Sequence, residues 1–297
     1  MLRLSAILAL NFVAIALGIT PRADAKADAA AAPDTIKVGI MSGMFKGVPE
    51  PLIKAGGNQF SGLFKQITGL PGAVVVEDRH HDLAKKLNDN EVHLGVFHGF
   101  EWAWLQKHNP NLTALAITIP THLPQACIVV NVKENATGPQ GLKGANVDIP
   151  FNMKIHGFLY IEKLHRECPA GSFKPNTPDD LGPEEALDHV CRGKSAAALV
   201  DKPMLAGYQA NNPGKAAQIK VLCQSDPLPQ VVLVYNKTTL PDKIVDQLRA
   251  GLLSANKNPA GRSFLFLWNL RGFEEPTPAF EDLLAKCLKA FPAPVKK

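Results

Sequence analysis

The sequence predicts an α/β protein of two lobes, each a mostly parallel sheet flanked by helices, joined by two crossover strands. Three observations carry this. Between Thr35 and Thr118 short β-branched runs alternate strictly with helix-period segments, as in parallel sheets covered on both faces. The same alternation restarts between Asn146 and Leu222. Two apolar extended runs, Ala126 to Val132 and Gln230 to Tyr235, bracket that second block and break its rhythm. A chain that leaves one α/β lobe by one strand, builds a second and returns by another makes two lobes on a double hinge. The division is then 34–125 plus 236–297 for the first lobe and 126–235, crossover strands included, for the second.

In the first block, Thr35 to Met41 reads as a strand, the loop Ser42 to Val48 follows, and Pro51 to Thr68 carries helical spacing. Ala73 to Glu77, Val92 to Phe97 and Leu112 to Thr118 are strands, separated by helices at His81 to Asn90 and Gly99 to His108. In the second, Asn146 to Ile149, Ala196 to Val200 and Gln218 to Leu222 are strands, with helices at Ile155 to Glu167, Pro183 to Cys191 and Pro203 to Gln209. Helices at Pro241 to Ala255, Ala260 to Leu270 and Pro278 to Phe291 complete the first lobe. Ligands of open α/β sheets bind outside the carboxyl ends of strands, so the interlobe cleft is the expected site.

Length and composition fit this picture and exclude others. The 297 residues are about twice a typical domain. With 46% hydrophobic and 20% charged residues the chain has material for an ordinary core and is not disordered. A net charge of +5, without long Lys/Arg runs, argues against a nucleic-acid partner. The N-terminus reads as a secretory signal peptide over residues 1–25, followed by an Ala-rich linker at 26–33. Arg3 precedes the apolar stretch Leu4 to Ile19, and Ala23-Asp24-Ala25 has the form of a cleavage site. That stretch is too short to span a bilayer, so a mature, periplasmic protein peripheral to the membrane is expected. Of the five cysteines, Cys168 and Cys191 lie near helix ends where a disulfide is permitted; there is no CxxC.

The segments Leu87 to Gly99 (LNDNEVHLGVFHG), Gly141 to Pro150 (GLKGANVDIP) and Gly193 to Asp201 (GKSAAALVD) resemble, in order and spacing, the phosphate- and phosphonate-type solute-binding proteins of ABC importers. The resemblance runs from about Ile36 to Phe291. It implies the bilobed type II periplasmic-binding fold, closing on a small, anionic or polar ligand that is passed to an ABC permease, with the protein a monomer and without cofactor or catalysis. Trp102 falls close to the family's pocket aromatic and Asp201 at its acidic pocket position; a helix N-cap before Pro203 explains Asp201 equally well. Family members that hold a phosphonate place a Ser/Thr-rich run after the turn at Pro150. This chain has Phe151 to Gly157 (FNMKIHG), without a hydroxyl, leaving Asn152 to donate and Lys154 or His156 to offset negative charge. Position 93, often Asp in the family, is His93. The strand-end candidates are completed by His98 and Glu101 after the third strand and by Met44 and Phe45 in the first strand-to-helix loop.

Two other classes are carried beside transport: a sensory or scaffold protein of the same fold, and a periplasmic metal-binding protein. His80, His81, Asp82, His93, His98, His156 and Asp201 contain imidazole and carboxylate ligands, but no pair has HxxxH spacing. Enzymatic motifs are missing: there is no GxSxG, HExxH or P-loop, and the adjacent Glu184 and Glu185 face apart on a helix.

Overall fold

The computed structural model describes residues 33–169 and 173–294. The expected signal segment, its expected cleavage site and nearly all of the expected linker lie outside the described residues.

The first lobe is built on a six-stranded sheet. Its strands are β1 (Ile36–Met41), β2 (Gly72–Glu77), β3 (Leu94–Phe97), β4 (Leu112–Pro120), β10 (Val232–Asn236) and β11 (Leu270–Glu274), in the order β11-β4-β10-β3-β1-β2. β1 pairs in parallel with β2 and β3. β10 is inserted antiparallel between β3 and β4, and β11 closes the edge antiparallel to β4. Four of the six strands therefore point one way. Helices α1 (Glu50–Thr68), α2 (His80–Asn88), α3 (Gly99–Leu105), α8 (Asp242–Leu253), α9 (Pro259–Leu267) and α10 (Pro278–Ala290) cover this sheet. Phe60, Phe64, Leu94, Leu248 and Phe264 pack on one face; Leu83, Phe97, Trp102 and Leu284 pack on the other.

The second lobe has a five-stranded sheet in the order β7-β6-β8-β5-β9. It comprises β5 (Ala126–Asn131), β6 (Asn146–Asp148), β7 (Lys174–Asn176), β8 (Ala197–Asp201) and β9 (Ile219–Gln224). β5 lies antiparallel between β8 and β9, while β6 runs parallel to β7 and β8. Helices α4 (Ile155–Glu167), α5 (Pro183–Cys191), α6 (Lys202–Asn211) and α7 (Pro213–Ala216) surround it. Among the described residues no disulfide is formed: Cys168 lies against Gln140 and Cys191 against Tyr208, so the two are not bonded to each other.

The lobes are linked by segments 121–125 and 225–231, which lie side by side. The Gln125 side chain donates to the Ser225 carbonyl at 2.8 Å, and the Leu228 N–H donates to the Pro124 carbonyl at 3.0 Å. One expected boundary moves: Val232–Asn236 hydrogen-bonds in the first sheet, so the chain re-enters the first lobe before β10, not after Tyr235. The helix expected to reach Leu270 stops at Leu267, because Asn269 turns into the left-handed region (φ 54°) and the chain leaves as β11.

Candidate functional site

Where β1, β3, β6 and β8 end, the connecting loops face one another across a cleft holding a cavity of about 360 Å³. That is within the range of about 300–1,000 Å³ typical of small-molecule sites. Met44 and His98 reach it from the first lobe, and Lys154, His156 and Asp201 from the second.

The second-lobe wall is polar. Asp201 ends β8 and stands at the N-cap position of α6, yet its side chain makes no capping hydrogen bond. It pairs with the His156 imidazole instead, and both residues are buried. The Asp201 carboxylate is thus turned toward His156 and the cavity and not onto the start of α6. Lys154 is the N-cap residue of α4, beside the first-turn N–H groups that a helix cannot satisfy internally. Among the described residues Lys154 makes no ion pair, so it is the uncompensated positive charge on this wall.

The first-lobe wall is mainly aromatic. Phe60 of α1 meets Phe264 of α9 edge-on at 4.7 Å between ring centres, Trp268 lies 6.1 Å from Phe264, and Phe273 of β11 stacks on Phe264 at 6.1 Å. His98 stacks on Phe100 at 5.0 Å and is held by Glu101, whose carboxylate accepts from the His98 backbone N–H and contacts the ring Nδ1, both at 3.0 Å. Gln230, in the returning segment, lines the cavity with a buried side-chain oxygen that has no partner among the described residues. Gly99 lets α3 start directly against that segment: a Cβ there would meet the Gln230 carbonyl at 2.6 Å.

Four expected residues do not line the cavity. Trp102 is buried in the first-lobe core with Phe97, Leu105 and Phe280. The cause is helix geometry: at 100° per residue Trp102 points about 200° away from Phe100, which occupies the cleft face. Glu101 is buried behind His98 as its positioning partner. Phe45 turns into the core and backs Trp268 edge-on at 5.6 Å. Asn152 sits at the rim against Gly47, where the lobes come so close that a Cβ on residue 47 would approach the Asn152 Cβ to 2.5 Å. His93, which the motif comparison singled out, is also structural: its Nδ1 accepts the Lys37 backbone N–H at 3.0 Å between β1 and β3.

Sequence reasoning missed Phe60, Phe100, Phe264, Trp268, Phe273, Gln230, Thr118 and His122, all of which line the cavity. A partial signal existed in Phe264 to Trp268 (FLFLW), which has more large apolar residues than one helix face can bury; Phe266 is left 88% exposed. Among the described residues no group of three or more His, Cys, Asp or Glu side chains is placed to hold a metal ion, and no helix is long and apolar enough to cross a membrane.

Residues 59–279 match the family described as ABC transporter, phosphonate, periplasmic substrate-binding protein. The fold resembles XAC2383 from Xanthomonas citri bound to ATP, with a TM-score of 0.63 at 14% identity over 87% of this chain and 97% of that one. It also resembles PhnD1 from Prochlorococcus marinus in complex with methylphosphonate, with a TM-score of 0.62 at 14% identity over 86% and 98%. A third similar structure is a binding protein component of an ABC phosphonate transporter from Pseudomonas aeruginosa, with a TM-score of 0.57 at 15% identity over 88% and 86%. At these identities the likeness is one of fold. Comparison with curated proteins gives no match.

Proposed function

Because the chain belongs to the family of periplasmic substrate-binding proteins of phosphonate ABC transporters, we propose that it is exported, captures one small organic ligand between its lobes and presents the closed complex to a permease. The observation that carries this is the cavity itself. It is walled by strand ends of both lobes, so a ligand seated there binds the closed arrangement better than any open one and shifts the population toward it.

Met44, His98, Lys154, His156 and Asp201 are the retained ligand-contacting candidates, joined by Phe100, Trp268 and Gln230. Glu101 acts through His98, and Asn152 through the rim contact with Gly47. Phe45 supports the wall from behind through Trp268, while Trp102 belongs to the core on the other face of the sheet. Binding suits a site whose histidines at positions 98 and 156 are each already engaged by a carboxylate.

The test is native mass spectrometry of protein purified from the periplasm of its own cells. A mature chain beginning near Lys26 with one retained small molecule is expected. Gly47→Ala should lose that molecule, since the added methyl strains a left-handed backbone (φ 78°) and collides with Asn152 as the lobes close. Full-length protein in the cytosol would refute export. Ligand retention unchanged in Gly47→Ala would refute capture by closure at this rim.

A further inference from the structure

The two walls of the cleft differ in chemistry in a way that constrains the ligand. On the first-lobe side the cavity is bounded by Met44, Phe60, Phe100, Phe264, Trp268 and Phe273. The Phe60, Phe264, Trp268 and Phe273 rings contact one another, with centres 4.7–6.2 Å apart for four of their pairs, so this wall is braced and apolar. On the opposite side Asp201 is engaged by His156, and on the first-lobe side His98 is engaged by Glu101. Among the described residues the cavity charge left without a partner is Lys154, at the start of the 13-residue helix α4. A ligand ammonium group would meet that lysine without a free carboxylate to balance it. A one-carbon phosphonate would leave most of about 360 Å³ to water lying against aromatic rings, which is unfavourable. Its oxygens would also find no hydroxyl between Phe151 and Gly157.

We propose that the ligand is an organic anion with an aromatic or similarly bulky apolar body, the body lying against Phe60, Phe264 and Trp268 and the anionic group at Lys154 and the start of α4. This rests on the capture reading above and narrows its substrate class. Gln230, whose buried side-chain oxygen lacks a partner among the described residues, is placed to accept from a hydroxyl or N–H on the same ligand. The aromatic wall is formed chiefly by α1, α9 and β11, elements that pack as one unit in the first lobe, so it exists before the lobes close.

Titration calorimetry with phenylphosphonate, methylphosphonate and benzyl alcohol separates the two halves of the proposal. Burying the ring in place of a methyl group should make phenylphosphonate roughly 10- to 100-fold tighter than methylphosphonate. Benzyl alcohol, which keeps the ring and lacks the charge, should bind weakly. Trp268→Leu should compress the phenyl-to-methyl ratio, and Phe100→Leu, on a different element, should compress it too, each variant being checked for a native circular dichroism spectrum. Lys154→Gln should weaken both phosphonates alike and leave benzyl alcohol unchanged. Methylphosphonate binding as tightly as phenylphosphonate would overturn the apolar half. Benzyl alcohol binding as tightly as phenylphosphonate would overturn the anionic half. A molecule retained through native purification that lacks either a negative charge or a bulky apolar group would overturn the class while leaving capture intact. No retained molecule, together with no binding of any probe, would overturn capture as well.

Discussion

The two lobes share one frame and differ in what they hang on it. Read from β4, the first sheet runs β4-β10-β3-β1-β2; read from β9, the second runs β9-β5-β8-β6-β7. In each, one crossing strand enters antiparallel between two others, and two parallel strands follow outward. His98 after β3 and Asp201 at the end of β8 are then equivalent positions, as are the loops after β1 and β6 that carry Met44 and Lys154. The first lobe adds α9 and β11, for which the second has no counterpart, and this addition supplies Phe264, Trp268 and Phe273. The backbone arrangement thus fixes where the cavity lies. Its chemistry is set by the aromatic addition on one side and by the short strand-end loops on the other.

The sharpest way to break this contrast is Phe264→Ala. The side chain is 2% exposed and in ring contact with Phe60, Trp268 and Phe273. Truncating it should cost about 3–5 kcal/mol of stability and loosen the first-lobe wall as a unit, read by urea unfolding of the ligand-free protein. A loss under ~1 kcal/mol would mean that the box is loosely packed and does not preorganise the cleft.

The lobes should also differ in how they answer acid. In the first lobe burial holds the His93 imidazole below its ordinary value, with Lys37 adding to the effect, and burial followed by His81 does the same for His80. A histidine whose folded pKa is depressed takes up its proton more readily when unfolded. Stability should therefore fall as pH drops through the unfolded value of about 6.5 toward the folded one. In the second lobe the Lys215 hydrogen bond holds Asp188 below the usual carboxylate range, so its contribution persists above about pH 4 and is lost only as pH falls through the folded value. Hydrogen exchange at pH 7 and pH 5 should find the first lobe weakened first. Protonating His93 also surrenders the hydrogen bond from Lys37, worth about 0.5–1.5 kcal/mol, so His93→Gln should flatten the first-lobe pH dependence. Equal acid sensitivity in both lobes would contradict this.

Sequence periodicity recovered most elements because it reports local burial: Ile155 to Glu167 and Pro183 to Cys191 coincide with α4 and α5. It could not say which sheet Gln230 to Tyr235 joins, since an apolar run buried on both faces reads alike in either, and the pairing is decided by residues more than a hundred positions away. β7 (Lys174–Asn176) is three exposed residues including a proline, with no apolar pattern to read. In the site, Asp201, His98 and Lys154 were legible because strand ends are where such folds bind ligands. Trp102 misled because two residues along a helix exchange the cleft face for the core, and Trp268 escaped because it reaches the cavity from a helix far away in sequence.

The smallest effect tests whether the lobes communicate through their rim. Lys46, in the first-lobe loop, holds its Nζ 4.8 Å from the centre of the Phe158 ring on α4 of the second lobe. A cation over an aromatic face at an exposed site is worth about 0.5–1 kcal/mol. The contact spans the cleft, so it stabilises the closed arrangement alone. Lys46→Ala should leave the melting temperature of the ligand-free protein unchanged and weaken ligand binding roughly two- to fivefold. Phe158→Leu should do the same, and the double variant should be no worse than either single one, as expected when both substitutions remove one shared interaction. Affinity losses that simply add would show that Lys46 acts through long-range charge on an anionic ligand instead of through the ring, and raising the salt concentration should then erase the Lys46 effect while sparing that of Phe158.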